Sequence, residues 1–347
     1  MGRQITYCEA LNEALIQEME RDDRVVVYGI GVPDHKRIFG STVGLEKFGS
    51  SRFFDTPLSE DALMGMGIGM AMNGLRPIYI HIRIDFLLLA INQLVNIAST
   101  VSSYSGGKLS VPIVIRAAIG RGWGQGCQHS KTVQSIFGHI PGIKVVMPVT
   151  SYDAKGMLIS AIRDNNPVVF MEHRWLYWQQ GDVPEESYEV PLGIPKVARE
   201  GKDITIVATS WMVVEALHAA RILKETSNIE VEVIDVRSIN PLDSSIIINS
   251  VNKTRRAVIA DNDWVYCGFS AELSSIIYTN CFGELDCPIE RIGFADIPCP
   301  TARHLENIFY PNAEAIVRTV EKMLNIRPTD LSNELFFSHE NKFKGPF

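Results

Sequence analysis

Short apolar runs alternate with amphipathic segments along the first half of the chain. Such runs are typical of buried strands, whereas apolar residues spaced three and four apart are typical of helices. The pattern predicts strands at Val25–Tyr28, Pro77–Ile80, Pro112–Arg116, Lys144–Met147 and Val168–Met171, and helices at Tyr7–Arg21, Glu60–Met72, Phe86–Ala98 and Tyr152–Arg163. This alternation indicates an α/β domain around a mostly parallel sheet, covering residues 1–180.

A segment rich in proline and charge, residues 181–201, is predicted to be an interdomain linker. The alternation resumes at residues 202–326, so we expect two doubly wound α/β domains. In the second domain the predicted strands are Ile204–Ala208, Glu230–Asp235, Ala257–Ile259 and Ile289–Ile292, and the predicted helices are Val213–Leu223, Ser244–Ser250, Ala271–Tyr278 and Ala313–Leu324. Residues 327–347 are a tail extension, either a frayed terminus or an arm that packs on another subunit.

Composition narrows the kind of partner. The chain has 347 residues and a formal net charge of −7, so it has no basic field to attract nucleic acid or an anionic membrane. No stretch approaches the ~20 apolar residues of a membrane span, and the start lacks a signal-peptide apolar region. We therefore expect a cytoplasmic protein. Its six cysteines contain no CxxC pair, which argues against a zinc site or a disulfide framework.

The segment Asp55–Glu60 contains the first residue that could carry chemistry. It follows the apolar pair Phe53–Phe54 and precedes a predicted helix, so Glu60 lies in or just before the first helical turn. A carboxylate there interacts favourably with the positive end of the helix. From the residues alone, a capping role for Glu60 is the simpler interpretation.

Two glycine-rich segments indicate close approaches. The helix around Met64–Met70 has glycine at three alternate positions, and each costs roughly 1 kcal/mol against alanine in a helix. A second helix, a cofactor or a subunit is expected to press there. The run Gly120–Lys131 predicts a loop that can bring backbone amides close to a ligand. His129 ends this loop and is either a polar structural residue or a proton-transfer group.

Several familiar motifs are absent from the sequence. It contains no GxSxG, P-loop or HExxH motif, and no GDG motif with a downstream asparagine for a diphosphate-bound metal. A chain that binds a phosphorylated cofactor would therefore need a partner chain to hold the phosphates.

An ordered set of motifs resembles the β subunit of thiamine-diphosphate-dependent 2-oxo acid dehydrogenases, within the transketolase-like superfamily. The first domain contributes Asp55–Glu60, Asn73–Pro77, Gln128–Ser130, Pro141–Val146, Asp153–Gly156 and Ala161–Pro167. The second contributes Asp235–Arg237 with Pro241–Asp243, Gly268 before Ala271–Glu272, and Asp296–Pro298. The resemblance extends from about residue 5 to residue 326.

The resemblance implies a division of labour between two kinds of chain. The β chain supplies the pyrimidine-binding domain, and a separate α chain holds the diphosphate and its Mg²⁺, in a heterotetramer of two α and two β chains. Glu60 then corresponds to the carboxylate that hydrogen-bonds the pyrimidine ring nitrogen and favours its imino tautomer. Phe86 corresponds to the residue that packs on the pyrimidine, with Ile82 nearby. His129 corresponds to the histidine that assists acyl transfer or orients the intermediate.

The family's activity and its ions follow from the same resemblance. Together the chains would cleave a 2-oxo acid and pass the acyl unit to lipoamide on a lipoyl acyltransferase, with the hard chemistry supplied by the cofactor. The resemblance also implies a structural K⁺ held by backbone carbonyls, at positions that match Ile113, Ala161, Ile162, Asp164 and Asn166.

Some positions depart from the family. The family commonly has Gly-Glu after the first strand, an acid implicated in coupling paired active sites, whereas this chain has Gly29 and Ile30. The run His81–Ile84 and the loop Arg121–Gln125, which carries Trp123, also differ from ordinary pyruvate enzymes. Two alternatives therefore stay open. One is a two-subunit carboligase that transfers a two-carbon unit to an aldehyde or ketone, and the other is a regulatory subunit that retained the fold.

Overall fold

The computed structural model describes residues 3–120 and 124–336. The chain divides into two compact units. The first comprises Met1–Arg121 with Gln128–Leu192, and the second comprises Gly122–Cys127 with Gly193–Phe347. The two-domain α/β fold class predicted from the sequence is confirmed. Within residues 3–120 and 124–336, no single helix is long and apolar enough to cross a membrane. One helix pair, Ile84–Ala90 with Gln93–Tyr104, has the length and composition but bends by 61°.

The first unit is built on a parallel sheet whose strands follow the order β6-β7-β5-β4-β2-β3. A separate antiparallel pair joins β1 to β8. The strands are β1 Gln4–Thr6, β2 Val25–Tyr28, β3 Phe53–Phe54, β4 Arg76–His81, β5 Val114–Ile119, β6 Lys144–Val146, β7 Val168–His173 and β8 Gln180–Asp182. The helices are α1 Tyr7–Arg21, α2 Glu60–Met72, α3 Ile84–Leu87, α4 Val101–Tyr104, α5 Gln134–Gly138 and α6 Ser151–Arg163.

Local sequence explains the burial of the central strands and the start of the helix α1. Every residue of β2, β5 and β7 is buried, as expected for the central strands of a parallel sheet. Helix α1 begins at a capping box in which Thr6 and Glu9 bond each other's backbone amides, and it packs against α6. Because the strands of this sheet are parallel, their carboxyl ends lie along one edge, where ligands of such sheets usually bind.

The second unit has a sheet in the order β14-β13-β10-β11-β9, parallel except where β9 meets β11. Its strands are β9 Lys196–Arg199, β10 Ile204–Ala208, β11 Val231–Asp235, β12 Ser238–Asn240, β13 Ala257–Trp264 and β14 Glu290–Phe294. Its helices are α7 Trp211–Ser227, α8 Ser245–Thr254, α9 Phe269–Cys281, α10 Arg303–Phe309 and α11 Ala313–Leu324.

A fully buried carboxyl group, that of Asp261, lies on β13. It accepts hydrogen bonds from the Thr209 hydroxyl (2.6 Å) and from the Ser270 amide in the first turn of α9 (3.1 Å). Burial, and next the nearby charge of Asp263, raise the pKa of Asp261 to about 7. The group is therefore largely protonated in slightly acidic solution.

One predicted helix, Phe86–Ala98, is wrong in detail. The chain instead forms α3, a 3₁₀ turn at Leu88–Ala90 and a π-helical segment at Gln93–Ala98. Just beyond it, the hydroxyls of Ser99 and Thr100 donate to the carbonyls of Val95 and Asn96. Such side-chain bonds compete with regular helix geometry, and apolar periodicity does not register them.

The first part of the tail packs on its own unit. The Thr329 amide donates to Glu321 on α11 (2.7 Å), and Leu331 is buried. Glu334 pairs with Arg221 (2.7 Å) and His218 (3.1 Å) on α7. Residues 327–336 are therefore not a frayed terminus. An arm that reaches another subunit remains a prediction for the later tail residues, which lie outside the described part of the chain.

Candidate active site

The candidate site begins at the carboxyl end of β2. Gly29 has φ +150°, and a Cβ there would lie 2.4 Å from the carbonyl oxygen of Ile80, so only glycine fits. The Gly31 amide donates to the Asp55 carboxylate (2.8 Å), which also accepts from the Thr56 amide. Asp55 thus joins the turn after β2 to the segment that leads into α2.

Glu60 is the first residue of α2. It is only 8% exposed, and within residues 3–120 and 124–336 its carboxylate has no hydrogen-bond or ion-pair partner. The helix cap, Ser59, makes no side-chain capping bond either. A capping hydrogen bond is therefore not the reason for a carboxylate at position 60. The positive end of the helix still favours a negative charge there. A buried acceptor without a partner fits a ligand that donates a hydrogen bond.

Phe86 and His129 lie in direct contact. Phe86 belongs to α3, and its ring meets the His129 imidazole edge-on, with centroids 5.4 Å apart. The neighbouring residue Asp85 forms an ion pair with Lys131 (2.8 Å), so two adjacent contacts join α3 to the histidine loop. His129 follows a 3₁₀ turn at Gly126–Gln128 and is half-buried.

Ile82 lies between β4 and α3 and is partly buried. A Cβ on Gly31 would lie 3.7 Å from the Ile82 Cδ1 atom, which places Ile82 beside the turn after β2. Glu60 makes no ring contact or hydrogen bond with Phe86 or His129 among the described residues. Its neighbour Asp61 accepts a hydrogen bond from Gln93 (3.2 Å), in the helical stretch that follows Phe86 along the chain.

The glycine loop before His129 is described in part. Gly120 has φ +80°, and a Cβ there would lie 2.2 Å from the His173 Nε2 atom, so a larger residue does not fit. The Gly120 amide donates to the Lys131 carbonyl (3.2 Å), which closes the base of the loop. Most of the unusual segment Arg121–Gln125, including Trp123, lies outside the described residues.

The five carbonyls predicted to hold K⁺ belong to Ile113, which directly precedes β5, and to four residues in or just after the last turn of α6. The Arg76 guanidinium already donates to the carbonyls of Ile162 and Asp164 (2.9 Å each). The Ile113 carbonyl accepts from the Val168 amide (2.9 Å). Each carbonyl keeps a second lone pair, but the positive charge of Arg76 opposes another cation at two of the five oxygens. The K⁺ site, which also includes Ala161 and Asn166, remains a prediction.

The described ranges hold no group of three or more His, Cys, Asp or Glu side chains able to bind a metal ion.

Sequence reasoning missed two buried polar arrangements in the first unit. One is an ion pair between Arg116 and Glu172, whose carboxylate also accepts from the Tyr177 hydroxyl (2.9 Å). The other is a row of rings formed by Tyr28, Tyr79 and His81. A signal for the row is present in β4, where tyrosine and histidine occupy alternate positions among the apolar residues that follow Arg76.

Comparisons with known proteins agree with this architecture. The family described as transketolase, pyrimidine binding domain matches residues 3–179, and transketolase, C-terminal domain, matches residues 194–316. A split gene transketolase solved as an inactive beta4 tetramer has a TM-score of 0.73, covering 93% of this chain and 99% of that chain. Its sequence identity is 24%, so this likeness concerns the fold alone. The fold and the domain matches define a transketolase-like protein.

Two relatives resolve the family further. Pyruvate dehydrogenase E1 component subunit beta of Rickettsia felis is 41% identical over 321 residues, which are 92% of this chain and 98% of the relative. The 2-oxoisovalerate dehydrogenase subunit beta of Bacillus subtilis is 40% identical over 322 residues, with the same coverage of both chains. The chain belongs to the family of β subunits of thiamine-diphosphate-dependent 2-oxo acid dehydrogenases, and the resemblance seen in its motifs is confirmed.

Proposed function

We propose that this chain is the β subunit of a thiamine-diphosphate-dependent 2-oxo acid dehydrogenase, which decarboxylates a 2-oxo acid and passes the acyl unit to lipoamide. The observation that supports this most directly is Glu60, a buried carboxylate without a partner among the described residues, at the start of a helix beside the carboxyl edge of the sheet. Such a carboxylate is the acceptor that a protonated ring nitrogen of an aminopyrimidine requires, since the charge strengthens the hydrogen bond between them.

Each site residue has a role in the proposal. Glu60 holds the proton at the pyrimidine nitrogen and so selects the imino tautomer. Phe86 and Ile82 pack against the ring and exclude water. His129, held edge-on against Phe86, orients or protonates the reacting group during acyl transfer. When bound, the cofactor supplies the carbanion and electron-sink chemistry of decarboxylation.

The proposal includes an α subunit. The chain has no sequence motif for a diphosphate and its Mg²⁺, and we infer that the α subunit holds both, in a heterotetramer of two α and two β chains. A lipoyl acyltransferase would receive the acyl unit. The names of the two relatives refer to different 2-oxo acids, pyruvate and 2-oxoisovalerate. The proposal therefore specifies the substrate class, a 2-oxo acid, and not one member of it. The cytoplasmic location is part of the proposal, and fractionation of cells that express the tagged chain would test it.

The decisive experiment uses the complex of this chain with its α partner. A panel of 2-oxo acids is assayed with a dye acceptor, with lipoyl protein and with aldehyde acceptors. We expect dye reduction and acyl transfer to lipoyl protein with one 2-oxo acid or a small group of them. Product formation with an aldehyde, together with an inert lipoyl protein, would instead identify the two-carbon carboligase.

His129→Ala provides a second test on the same complex. Because His129 is assigned to acyl transfer, the variant should keep part of its dye-linked decarboxylation and lose most of its transfer to lipoyl protein, on the order of 100-fold. Unchanged rates in both assays would return His129 to a structural role.

A further inference from the structure

A row of three buried rings lies beneath the first turns of α2. Tyr28 on β2 and Tyr79 on β4 are register partners on adjacent parallel strands, so their side chains extend from the same face of the sheet. Their rings stack with centroids 4.6 Å apart and an interplanar angle of 3°. The His81 imidazole continues the row, 4.1 Å from the Tyr79 ring.

The first hydroxyl of the row is bonded to α2. Tyr28 donates to the carbonyl of Leu63 (3.0 Å). It reaches that helix because Gly67 leaves room: a Cβ at position 67 would lie 2.1 Å from the Tyr28 hydroxyl. The stacked phenols are therefore directed at the N-terminal half of α2.

The second hydroxyl has no such bond. Among the described residues, the buried Tyr79 hydroxyl and the buried His81 Nε2 atom have no hydrogen-bond partner. Glu60 lies three residues before Leu63, about one helical turn nearer the N-terminus, and its carboxylate is also without a partner in the described ranges. Buried polar groups without partners are costly, and they persist where a further group completes them.

The Tyr79 phenol interacts electrostatically with the Glu60 carboxylate. Burial, and next the Glu60 carboxylate, raise the pKa of Tyr79, so the phenol keeps its proton and can donate a hydrogen bond. Burial lowers the pKa of His81 to about 3, so the imidazole is neutral. Among the described residues, the titratable groups that face Tyr79 are thus Tyr28 from β2, His81 from β4 and Glu60 from α2.

We propose that Tyr79 is a positioning residue for Glu60, its hydroxyl donating a hydrogen bond to a water molecule that in turn donates to the Glu60 carboxylate. This inference rests on the proposed function, in which Glu60 must be ionised and correctly turned when it meets the pyrimidine. A donated hydrogen bond stabilises the ionised form of a buried carboxyl and fixes its rotamer. Tyr79 thereby holds the Glu60 carboxylate in the orientation that the ring nitrogen requires.

The test measures Glu60 ionisation in the full chain without cofactor. Infrared difference spectra are recorded over a pH series, and the Glu60→Gln spectra are subtracted so that only the Glu60 carboxyl band remains. Tyr79→Phe is expected to raise the midpoint of Glu60 ionisation by about one pH unit, a tenfold change in proton affinity. In the assembled complex, the acidic limb of the kcat/KM profile should move in the same direction.

Tyr28→Phe is the matched control. It removes an equally buried hydroxyl from the same stack, but one bonded to Leu63, so it should lower stability and leave the Glu60 midpoint unchanged. A fluorinated tyrosine at position 79 keeps the ring and acidifies the phenol, and it should lower the midpoint. An unchanged midpoint in both the Tyr79→Phe and the fluorinated chains would overturn the proposal.

The two proposals fail in different ways. Full turnover by Glu60→Gln would refute the proposed function, whereas the infrared midpoint requires no cofactor and would still report the bond from Tyr79. A normal midpoint in Tyr79→Phe with an inactive Glu60→Gln would refute the positioning role alone.

Discussion

At the scale of single residues, Glu60 combines burial with the lack of a partner among the described residues. We predict that Glu60→Gln lowers turnover of the assembled complex by at least ~100-fold, because the amide keeps the shape but loses the charge that accepts the pyrimidine proton. If Glu60 were only a helix-capping residue, its replacement would instead cost ~0.5–2 kcal/mol of stability and leave turnover near normal. Thermal melting and steady-state rates on the same preparations separate the two results.

The adjacent residue Asp61 provides a control for this substitution. Asp61 occupies the same first turn of α2, but it is exposed and its carboxylate bonds Gln93. Asp61→Asn removes one negative charge from the same helix end. It should therefore reproduce any helix-dipole effect of Glu60→Gln without the loss of turnover. Equal losses in both variants would argue against a chemical role for Glu60.

Asp261 predicts a pH dependence of stability. Its pKa is about 7 in the folded chain, against about 3.8 when unfolded, so the folded state binds more protons between these values. The free energy of unfolding therefore falls as pH rises from about 4 to about 7, by an amount on the order of a few kcal/mol, and then levels off.

Asp261→Asn should flatten this dependence, since the amide stays neutral and keeps an acceptor for Thr209. Denaturant unfolding of both chains at about pH 5.5 and about pH 8 measures the difference. If the wild type and the variant lost the same amount of stability between the two pH values, a group other than Asp261 would be the cause of the pH dependence.

At the scale of elements, the glycines of α2 are not equivalent. A Cβ at Gly67 would meet the Tyr28 hydroxyl at 2.1 Å and the Ile113 Cδ1 atom at 2.8 Å, whereas nothing lies within 4 Å of one at Gly69. We predict that Gly67→Ala destabilises the chain by about 1–3 kcal/mol through overpacking. Gly69→Ala should stabilise it by about 0.5–1 kcal/mol through helix propensity. Denaturant unfolding of the isolated chain measures both, and effects of the same sign would contradict this packing.

Strong periodicity explains which elements could be predicted. The helices Tyr7–Arg21 and Glu60–Met72 and the strand Val25–Tyr28 lie where the sequence predicts them, because their apolar spacing is regular and their ends carry turn or capping residues. The prediction of Phe86–Ala98 as one helix failed because polar side chains bond backbone carbonyls around its end.

The candidate site could be predicted only in part. Motif order gave Glu60, Phe86 and His129, and their residue types explain why chemistry was expected of them. The row Tyr28, Tyr79 and His81 could not be found in this way, because it depends on register between strands that are distant in sequence. The occupation of two predicted K⁺ carbonyls by Arg76 likewise depends on tertiary contacts.

At the scale of the whole molecule, the chain is expected to supply one half of the cofactor site, and the α chain the other. We predict that the isolated chain binds thiamine diphosphate weakly and has no turnover, because the phosphates carry most of the charge of the cofactor and the chain has no motif for them. Calorimetry with the cofactor and Mg²⁺, with and without the α partner, measures this. Micromolar, Mg²⁺-dependent binding with turnover by the isolated chain would contradict the two-chain site.

The contact between Tyr28 and Gly67 also constrains how the sequence can change through evolution. The phenol fills the volume that a side chain on α2 would otherwise occupy, so neither position can drift independently. A lineage that replaces Tyr28 with a small residue should become free to place alanine at position 67, while lineages that retain the tyrosine should retain the glycine. Related sequences are therefore expected to exchange these two residues together, as one inherited unit.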